Sequence, residues 1–461
     1  MQAPNLPASI FRAYDVRGIV GQTLNAETAY WLGRAVGSES LAKGEPRVAV
    51  ARDGRLSGPE LLDALIRGLV DCGCQVSNLG MVPTPVLYFA TNTLPGRTGI
   101  MITGSHNPPD YNGFKIVVAG DTLANEQITA LKTRIDSGDL ASGQGRVEAI
   151  DILPAYVDYI RNDVKLARPM KVVIDCGNGI GGVVAQELFE AIGCTVIPLF
   201  CEVDGTFPNH HPDPSHRENV EDLIERVRAE QADLGLAFDG DADRVGVITE
   251  RGNMIFADRL LMLFARDVLS RNPGAEVIYD VKCTRHVAAQ VRSHGGQPRM
   301  WKTGHSLIKK KMRETGALLG GEMSGHMFLK ERWFGFDDGL YNGARLVEIL
   351  SHQAQAADEL FAGFPGDLAT PEINVKVTDE SKFGIISALQ AESDWGADAD
   401  VATLDGVRVD YPRGWGLVRA SNTTPVLVLR FEAENAEELA RIQAVFRERL
   451  QRVAPDLTLP F

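Results

Sequence analysis

The sequence predicts an α/β protein in which three topologically related mixed α/β domains are followed by a smaller C-terminal α+β domain around a central cleft. Two observations carry this reading. A short apolar run ending in a polar turn, an amphipathic helix and a second apolar run recur three times along the chain. Such alternation marks βαβ units whose mostly parallel strands are buried on both faces. The C-terminal stretch instead reads as strand, turn, strand and helix, the order of an antiparallel sheet under one helical layer.

The first unit predicts a strand at 47–53, a helix through Leu61, Leu62, Leu65, Ile66 and Leu69, and a second strand near 72–76. In the second, a strand at 171–175 leads to a helix ending near Ala191 and a strand at 193–197. The third runs through 276–280, a helix near 287–291, and 295–300. This recurrence points to three domains on similar sheets. Toward the C-terminus, 374–378 alternates, 426–431 reads as a strong strand, and Asn435 caps a helix with the apolar face Leu439, Ile442, Phe446 and Leu450. A chain of 461 residues, at roughly 150 per domain, suggests three domains; the distinct tail makes four. Boundaries are expected where polar or Gly/Pro-rich residues separate the periodic segments, giving 1–151, 152–253, 254–367 and 368–461.

With 44% hydrophobic and 23% charged residues, the chain can fill several ordinary cores, which excludes wholesale disorder and small disulfide scaffolds. A formal net charge of −14 disfavours nucleic acid and anionic membranes as partners, although it does not exclude a small basic pocket. Residues 1–11 lack a basic n-region and a long apolar core, and no stretch approaches the roughly 20 apolar residues of a membrane span. Cys72, Cys74, Cys176, Cys194, Cys201 and Cys283 show no zinc-like CxxC spacing and read as buried free thiols. A cytoplasmic monomer is expected.

Four segments carry chemistry. The string from Thr103 to Lys115, Thr-Gly-Ser-His-Asn-Pro-Pro-Asp-Tyr-Asn-Gly-Phe-Lys, follows an apolar strand, and its turn formers place Ser105 and His106 on a tight, exposed loop. Ser105 suits a nucleophile or a covalent phosphate carrier, with His106 and Lys115 as cationic partners; a hydrogen-bonded turn is the alternative. It is not a Gly-x-Ser-x-Gly elbow, because Asn107 stands two residues on. Next, Asp239, Asp241 and Asp243 alternate on a loop after the run 234–238. Three such carboxylates can converge on a hard cation, Mg²⁺ better than Ca²⁺; a solvated acidic turn is the alternative. An EF-hand fails because Arg244 occupies the position that needs glycine and a strand leads in. Glu322, Ser324 and His326, in Gly-Glu-Met-Ser-Gly-His, suit sugar hydroxyls if the turn is flexible. Finally, 419–424 offers a guanidinium, hydroxyls and amides that suit a phosphate, although such residues also form ordinary turns.

These four motifs, in this order, resemble the α-D-phosphohexomutases, in particular the bacterial phosphomannomutase/phosphoglucomutase branch, over essentially the whole chain. The resemblance implies that Ser105 is a phosphoserine that exchanges its phosphoryl group with hexose 1- and 6-phosphates through a 1,6-bisphosphate, with glucose 1,6-bisphosphate as activator. It implies Mg²⁺ on Asp239, Asp241, Asp243 and Ser105. It assigns Glu322, Ser324, Lys282 and His305 to the sugar, and Arg419, Ser421, Asn422 and Thr423 to the non-reacting phosphate. Tyr14 and Arg17 would line the cleft. Arg17, Lys115, Arg244 and His326 are candidates for charge stabilisation or proton transfer, with the general acid or base unassigned. Ala242 departs from the glycine common between the second and third aspartates, a small matter provided that position does not need positive φ. The Thr-Gly-Ser and Glu-Met-Ser forms favour mannose and glucose over glucosamine phosphate, hence dual specificity. A phosphatase and a non-catalytic sugar-phosphate sensor are the rival readings. The expected role is supply of sugar 1-phosphates for nucleotide-sugar and polysaccharide synthesis, including alginate and lipopolysaccharide.

Overall fold

The computed structural model describes residues 5–392, 394–422 and 424–461. Its three N-terminal sheets share one plan. In the first, Gln75–Met81, Arg47–Arg52 and Thr98–Ile102 are parallel neighbours, and Tyr111–Val118 adds antiparallel to the last. In the second, Cys194–Leu199, Met170–Asp175 and Leu234–Phe238 are parallel and Val245–Thr249 is antiparallel. The third repeats this with Gln297–Trp301, Glu276–Asp280, Leu319–Gly321 and Met327–Leu329. Numbered along the chain, each unit has strand order 2-1-3-4, with only strand 4 reversed. The expectation of three related α/β domains holds.

This shared topology places the motifs. The serine loop, the aspartate loop and the Glu-Met-Ser-Gly-His loop each connect strand 3 to strand 4 of their own sheet. Each therefore lies at the carboxyl end of a parallel strand, where open α/β sheets present ligand sites. The first domain adds edge strands Val16–Ile19 and Arg146–Ala149.

The C-terminal domain is an antiparallel sheet built on Val407–Tyr411, Gly414–Ala420 and Val426–Ala433. Its inner face packs on Ala436–Val453 through Ile442, Phe446 and Leu450, beginning at the Asn435 cap as predicted. A second helix, Asp379–Gln390, was not expected. The strand ends at Lys376 because Thr378 is a cap: its Oγ1 accepts from Ser381 N at 3.2 Å.

The domains are not separate beads. One continuous core joins the first three, with Phe89, Tyr156, Trp333 and Tyr341 in ring contact across domains. The helix Gly339–Ser351, from the third segment, packs its Gly343 against Phe189, Leu236 and Phe238 of the second sheet. The outer face of the C-terminal sheet meets the third domain through Trp415 and Val281, and Arg408 Nη1 donates to Val281 O and Cys283 O at 2.8 and 2.7 Å.

In the first domain, helices Ala26–Ala42 and Gly58–Cys72 touch backbone to backbone: a Cβ on Gly68 would lie 2.2 Å from Tyr30 O. Gly68→Ala must therefore push the helices apart. It is expected to lower unfolding free energy by about 1–3 kcal/mol, read as a lower midpoint in urea denaturation.

Candidate active site

Ser105 is 3% exposed and adopts φ +49. Ser105 is thus buried rather than exposed, because Gly240 of the second domain closes over it, where a Cβ would lie 2.3 Å from Ser105 O; His106 is half-buried, and Pro108, Pro109 and Asp110 of the same loop stay exposed. Two residues not anticipated from the sequence hold the loop. The Asp53 carboxylate accepts from Thr103 Oγ1 at 2.8 Å and Gly104 N at 3.2 Å. Arg55 is fully buried; its Nη2 donates to Ser105 O and Asn107 O at 2.8 and 2.6 Å, and Nη1 to Tyr111 O at 2.9 Å. A guanidinium with several fixed donors suits a row of inward-facing carbonyls. Phe207 of the second domain lies 5.1 Å under it.

The three aspartates sit in the following hairpin, all fully buried and with oxygens within 4.8 Å of one another. Lys115, on the strand Tyr111–Val118, reaches across from the first domain to Asp241 Oδ2 at 2.7 Å and Asp243 Oδ2 at 2.5 Å. Thr84 Oγ1 donates to Asp241 Oδ2 at 2.5 Å. Arg244 Nε donates to Asp239 Oδ2 at 3.0 Å, and its Nη1 lies 3.4 Å from Asp213 Oδ1. Asp241 Oδ1 and Asp243 Oδ1 are buried without a hydrogen-bond partner. Orphaned carboxylate oxygens beside a third carboxylate fit a divalent cation.

Ala242 requires correction. It adopts φ +60, the left-handed region that the sequence reading set as the condition for concern. Ala242 N donates to Asp239 O at 3.0 Å, and Gly339 N donates to Ala242 O at 3.1 Å, so the turn is fixed from both sides. An alanine there carries about 1–2 kcal/mol of strain, of the kind that collects at functional loops.

Burial sets the charges. It raises the Asp239 carboxyl to about 7, against Arg244 and with help from the neighbouring aspartates. For Asp241 burial is outweighed by Lys115 and Thr84, which hold it below the usual carboxylate range. Burial and Asp241 raise Asp243. Ser105 Oγ lies 3.2 Å from Asp239 Oδ2 and 3.1 Å from His106 Nδ1. Burial and the Arg244 charge push His106 well below the ordinary histidine value, so its ring is neutral at pH 7.

The third hairpin is no loose turn. Glu322 is buried; Oε1 accepts from Gly304 N at 2.8 Å and Oε2 from Ser324 Oγ at 2.9 Å. His326 stacks on His305 with ring centroids 5.6 Å apart. Its Nδ1 lies 3.0 Å from Asp337 and 3.6 Å from Asp243, and these carboxylates overcome burial to raise its pKa. His305 is pushed well down, by burial and by Lys309, which also donates to Asp337 at 2.8 Å. Tyr14 OH donates to Thr303 O at 2.8 Å and accepts from Asn422 Nδ2, tying the first, third and fourth domains together. Arg419 Nε pairs with Asp405 at 3.1 Å, Lys282 Nζ with Glu372 at 3.1 Å, and Arg17 with Asp15. Ser421 Oγ lies 2.8 Å from Thr424 Oγ1. Thr423 lies outside the described residues.

The predicted residues thus form two linked groups. Ser105, His106, Lys115, Arg244 and the three aspartates make one, with Arg17 close enough for its charge to act on His106. Tyr14, Lys282, His305, Glu322, Ser324, Arg419 and Asn422 surround the other, and His326 lies between them. Each of the five named lysines and arginines has a carboxylate partner. A buried cation requires one, and an incoming phosphate must share or displace it. Missed from the sequence were Asp53, Arg55, Thr84, Asp213, Lys309 and Asp337. The Arg-Asp-Gly-Arg at 52–55, at the end of a strand of the same βαβ unit, was the available signal for two of them.

Matched hairpins that bring a buried serine against three carboxylates define an enzyme of the multidomain α/β class. Within that class the comparison with known families is decisive, because all four parts match in order. Residues 8–142, 154–252 and 256–366 match phosphoglucomutase/phosphomannomutase alpha/beta/alpha domains I, II and III, and 372–449 match the C-terminal domain. The chain belongs to the phosphoglucomutase/phosphomannomutase family. It is 69% identical over 460 residues to a phosphomannomutase/phosphoglucomutase of Pseudomonas aeruginosa, covering 100% of this chain and 99% of that protein. It is 54% identical over 446 residues to a phosphoglucomutase of Neisseria gonorrhoeae, covering 96% and 97%. A solved phosphoglucomutase/phosphomannomutase family structure from Burkholderia thailandensis superposes with TM-score 0.94 at 52% identity, covering 99% of this chain and 100% of that one.

Two outcomes are expected. Arg55→Ala frees four carbonyls from one guanidinium; the serine loop should become protease-sensitive and turnover fall at least tenfold. Ala242→Gly removes the left-handed strain but adds unfolded-state entropy; its denaturation midpoint should match or exceed that of the parent despite the lost methyl.

Proposed function

We propose that the protein interconverts the 1- and 6-phosphates of glucose and mannose, with Ser105 as the phosphoryl carrier. The observation that carries this reading is Ser105 Oγ seated 3.2 Å from Asp239 in a buried, cation-ready centre. The names of the Pseudomonas and Neisseria relatives support it.

In the forward step the bond from phosphorus to Ser105 Oγ breaks and one forms to the free hydroxyl of a hexose phosphate. That hydroxyl gives up its proton, leaving a 1,6-bisphosphate. The reverse step returns the other phosphate to Ser105 after the sugar has turned over. Lys115 and Arg244 face the transferring group and neutralise its charge. Mg²⁺ on Asp239, Asp241, Asp243 and an oxygen of Ser105 would supply charge stabilisation there. Arg17 and His106 flank the same centre, and His326, held by Asp337, stands where it can exchange a proton with the sugar. Arg419, Ser421, Asn422 and Thr423 take the distal phosphate, with Tyr14 and Lys282 beside them. Burial of Ser105 keeps water from the phosphoserine and favours transfer over hydrolysis.

Glu322 and Ser324, with His305 adjacent, bind the 3- and 4-hydroxyls that glucose and mannose share, so the C2 epimer goes unread. The protein works as a cytoplasmic monomer, activated by glucose 1,6-bisphosphate, and divides at 1–151, 152–253, 254–367 and 368–461. Among the described residues no helix is long and apolar enough to cross a membrane.

A coupled assay tests the reading. Glucose 1-phosphate and mannose 1-phosphate should both be converted with Mg²⁺ and catalytic bisphosphate. Ser105→Ala should lose at least about 100-fold, the scale of a removed nucleophile. Chelation should abolish turnover and Mg²⁺ restore it. Turnover of one sugar alone at saturation would remove dual specificity, and phosphate release matching isomer formation would indicate a phosphatase.

A further inference from the structure

The second domain contains a thiol pair that the reaction does not use. Cys176 follows the strand Met170–Asp175 and Cys201 follows its parallel neighbour Cys194–Leu199. Their sulfurs lie 3.5 Å apart. Cys176 is fully buried and Cys201 half-buried, one residue before the exposed Glu202. Phe200, between the strand end and Cys201, is held at φ +47. The other four cysteines have no cysteine sulfur as a hydrogen-bond partner among the described residues.

Each thiol stands at the base of a loop that supports half of the reacting centre. On the Cys176 side, Ile180 N donates to Gly240 O at 3.1 Å. A Cβ on Gly181 would lie 3.3 Å from Ala242 Cβ and 3.6 Å from Cys176 Sγ. Gly240 and Ala242 are the spacers of the aspartate triad. On the Cys201 side, a Cβ on Gly54 would lie 2.3 Å from Val203 Cγ1, and one on Gly205 2.8 Å from Arg55 Cα. Phe207 of that loop lies under the Arg55 guanidinium that holds the serine loop.

We infer that Cys176 and Cys201 form a hydroperoxide-oxidisable dithiol whose disulfide displaces the supports of the serine and aspartate loops and lowers turnover. The sulfurs need to close only from 3.5 Å to the roughly 2.05 Å of an S–S bond, and that closure draws the two loops toward each other. Because a Cβ on Gly179 would lie 2.9 Å from Gly240 O and one on Gly205 2.8 Å from Arg55 Cα, backbone meets backbone on both routes and little slack absorbs the shift. The half-buried Cys201 is the attacking sulfur: its thiolate is favoured by the neighbouring Cys176 thiol, whose own pKa rises in return.

The chemistry balances. Cys201 thiolate attacks one oxygen of a hydroperoxide, the O–O bond breaks, and the alcohol or water leaves with a proton, giving the sulfenic acid. Cys176 sulfur then attacks Cys201 sulfur. An S–S bond forms, the S–O bond breaks and water leaves with the thiol proton. Two thiols lose two electrons to one peroxide, and a dithiol reductant reverses the change.

The experiment exposes the full chain to hydrogen peroxide, blocks remaining thiols and maps peptides, with turnover of glucose 1-phosphate followed in parallel. The expected map shows a Cys176–Cys201 cross-link, and in Cys176→Ala a dimedone adduct on Cys201. Turnover should fall several-fold and return with dithiothreitol, while Cys201→Ala keeps its activity through the same treatment. Two results overturn the inference: both thiols still open to alkylation after peroxide, or Cys201→Ala losing activity in step with the parent. The peptide map decides the site regardless of which substrate the protein turns over.

Discussion

Three carboxylates buried with oxygens within 4.8 Å of one another are the constraint on which the rest of this structure depends. Left alone, such a group cannot stay ionised in an apolar interior. Compensation comes from outside its own domain, as Lys115 spans from the first sheet to Asp241 and Asp243. Within the second domain, Arg244 takes Asp239 and is itself steadied by Asp213. Breaking such a buried pair costs far more than forming it gains. The contact between the first and second domains is therefore fixed by charge as well as by the shared apolar core. The same bridge delivers Ser105 to Asp239.

Two left-handed residues follow from that constraint. Ser105 in the first domain and Ala242 in the second adopt φ +49 and +60, on turns too tight for ordinary backbone. Each is over-determined: Ser105 by Arg55 and Asp53 below it and Gly240 above, Ala242 by Asp239 and Gly339. Strain of this kind persists only where the surroundings leave the chain no alternative, and here the surroundings come from three segments of the sequence. Fixing both turns pre-organises the serine relative to the carboxylates, and pre-organisation is what electrostatic catalysis requires.

Periodicity and turn chemistry made the architecture readable before any coordinates. Buried strands such as 171–175 and 234–238 announce themselves as apolar runs, and motifs with three or four unusual residues announce their loops. What stayed hidden has one physical character: it depends on which side chain meets which backbone across domains. Arg55 looks like a polar residue after a strand, and nothing local says that it gathers the carbonyls of a loop some fifty positions away. Thr378 read as the end of a strand because its capping role needs the geometry of Ser381. Ala242 was the sharpest case. The sequence posed the right condition, and the folded turn answers it with φ +60.

The net charge of −14 also takes on a different meaning. It left room for a small basic pocket, and the cations Arg17, Lys282 and Arg419 are each paired with an acid. A free positive pocket would bind any polyanion and hold it. A pocket of paired charges is nearly neutral until a ligand of the right shape reorganises several pairs together, so affinity becomes conditional on geometry. That suits a site handling an intermediate with phosphate at both ends. Each phosphate must be gripped firmly enough to react and released readily enough for the sugar to turn over. On the proposed reading, in which Arg419 grips the distal phosphate, its pair with Asp405 would provide the competing partner that makes release possible.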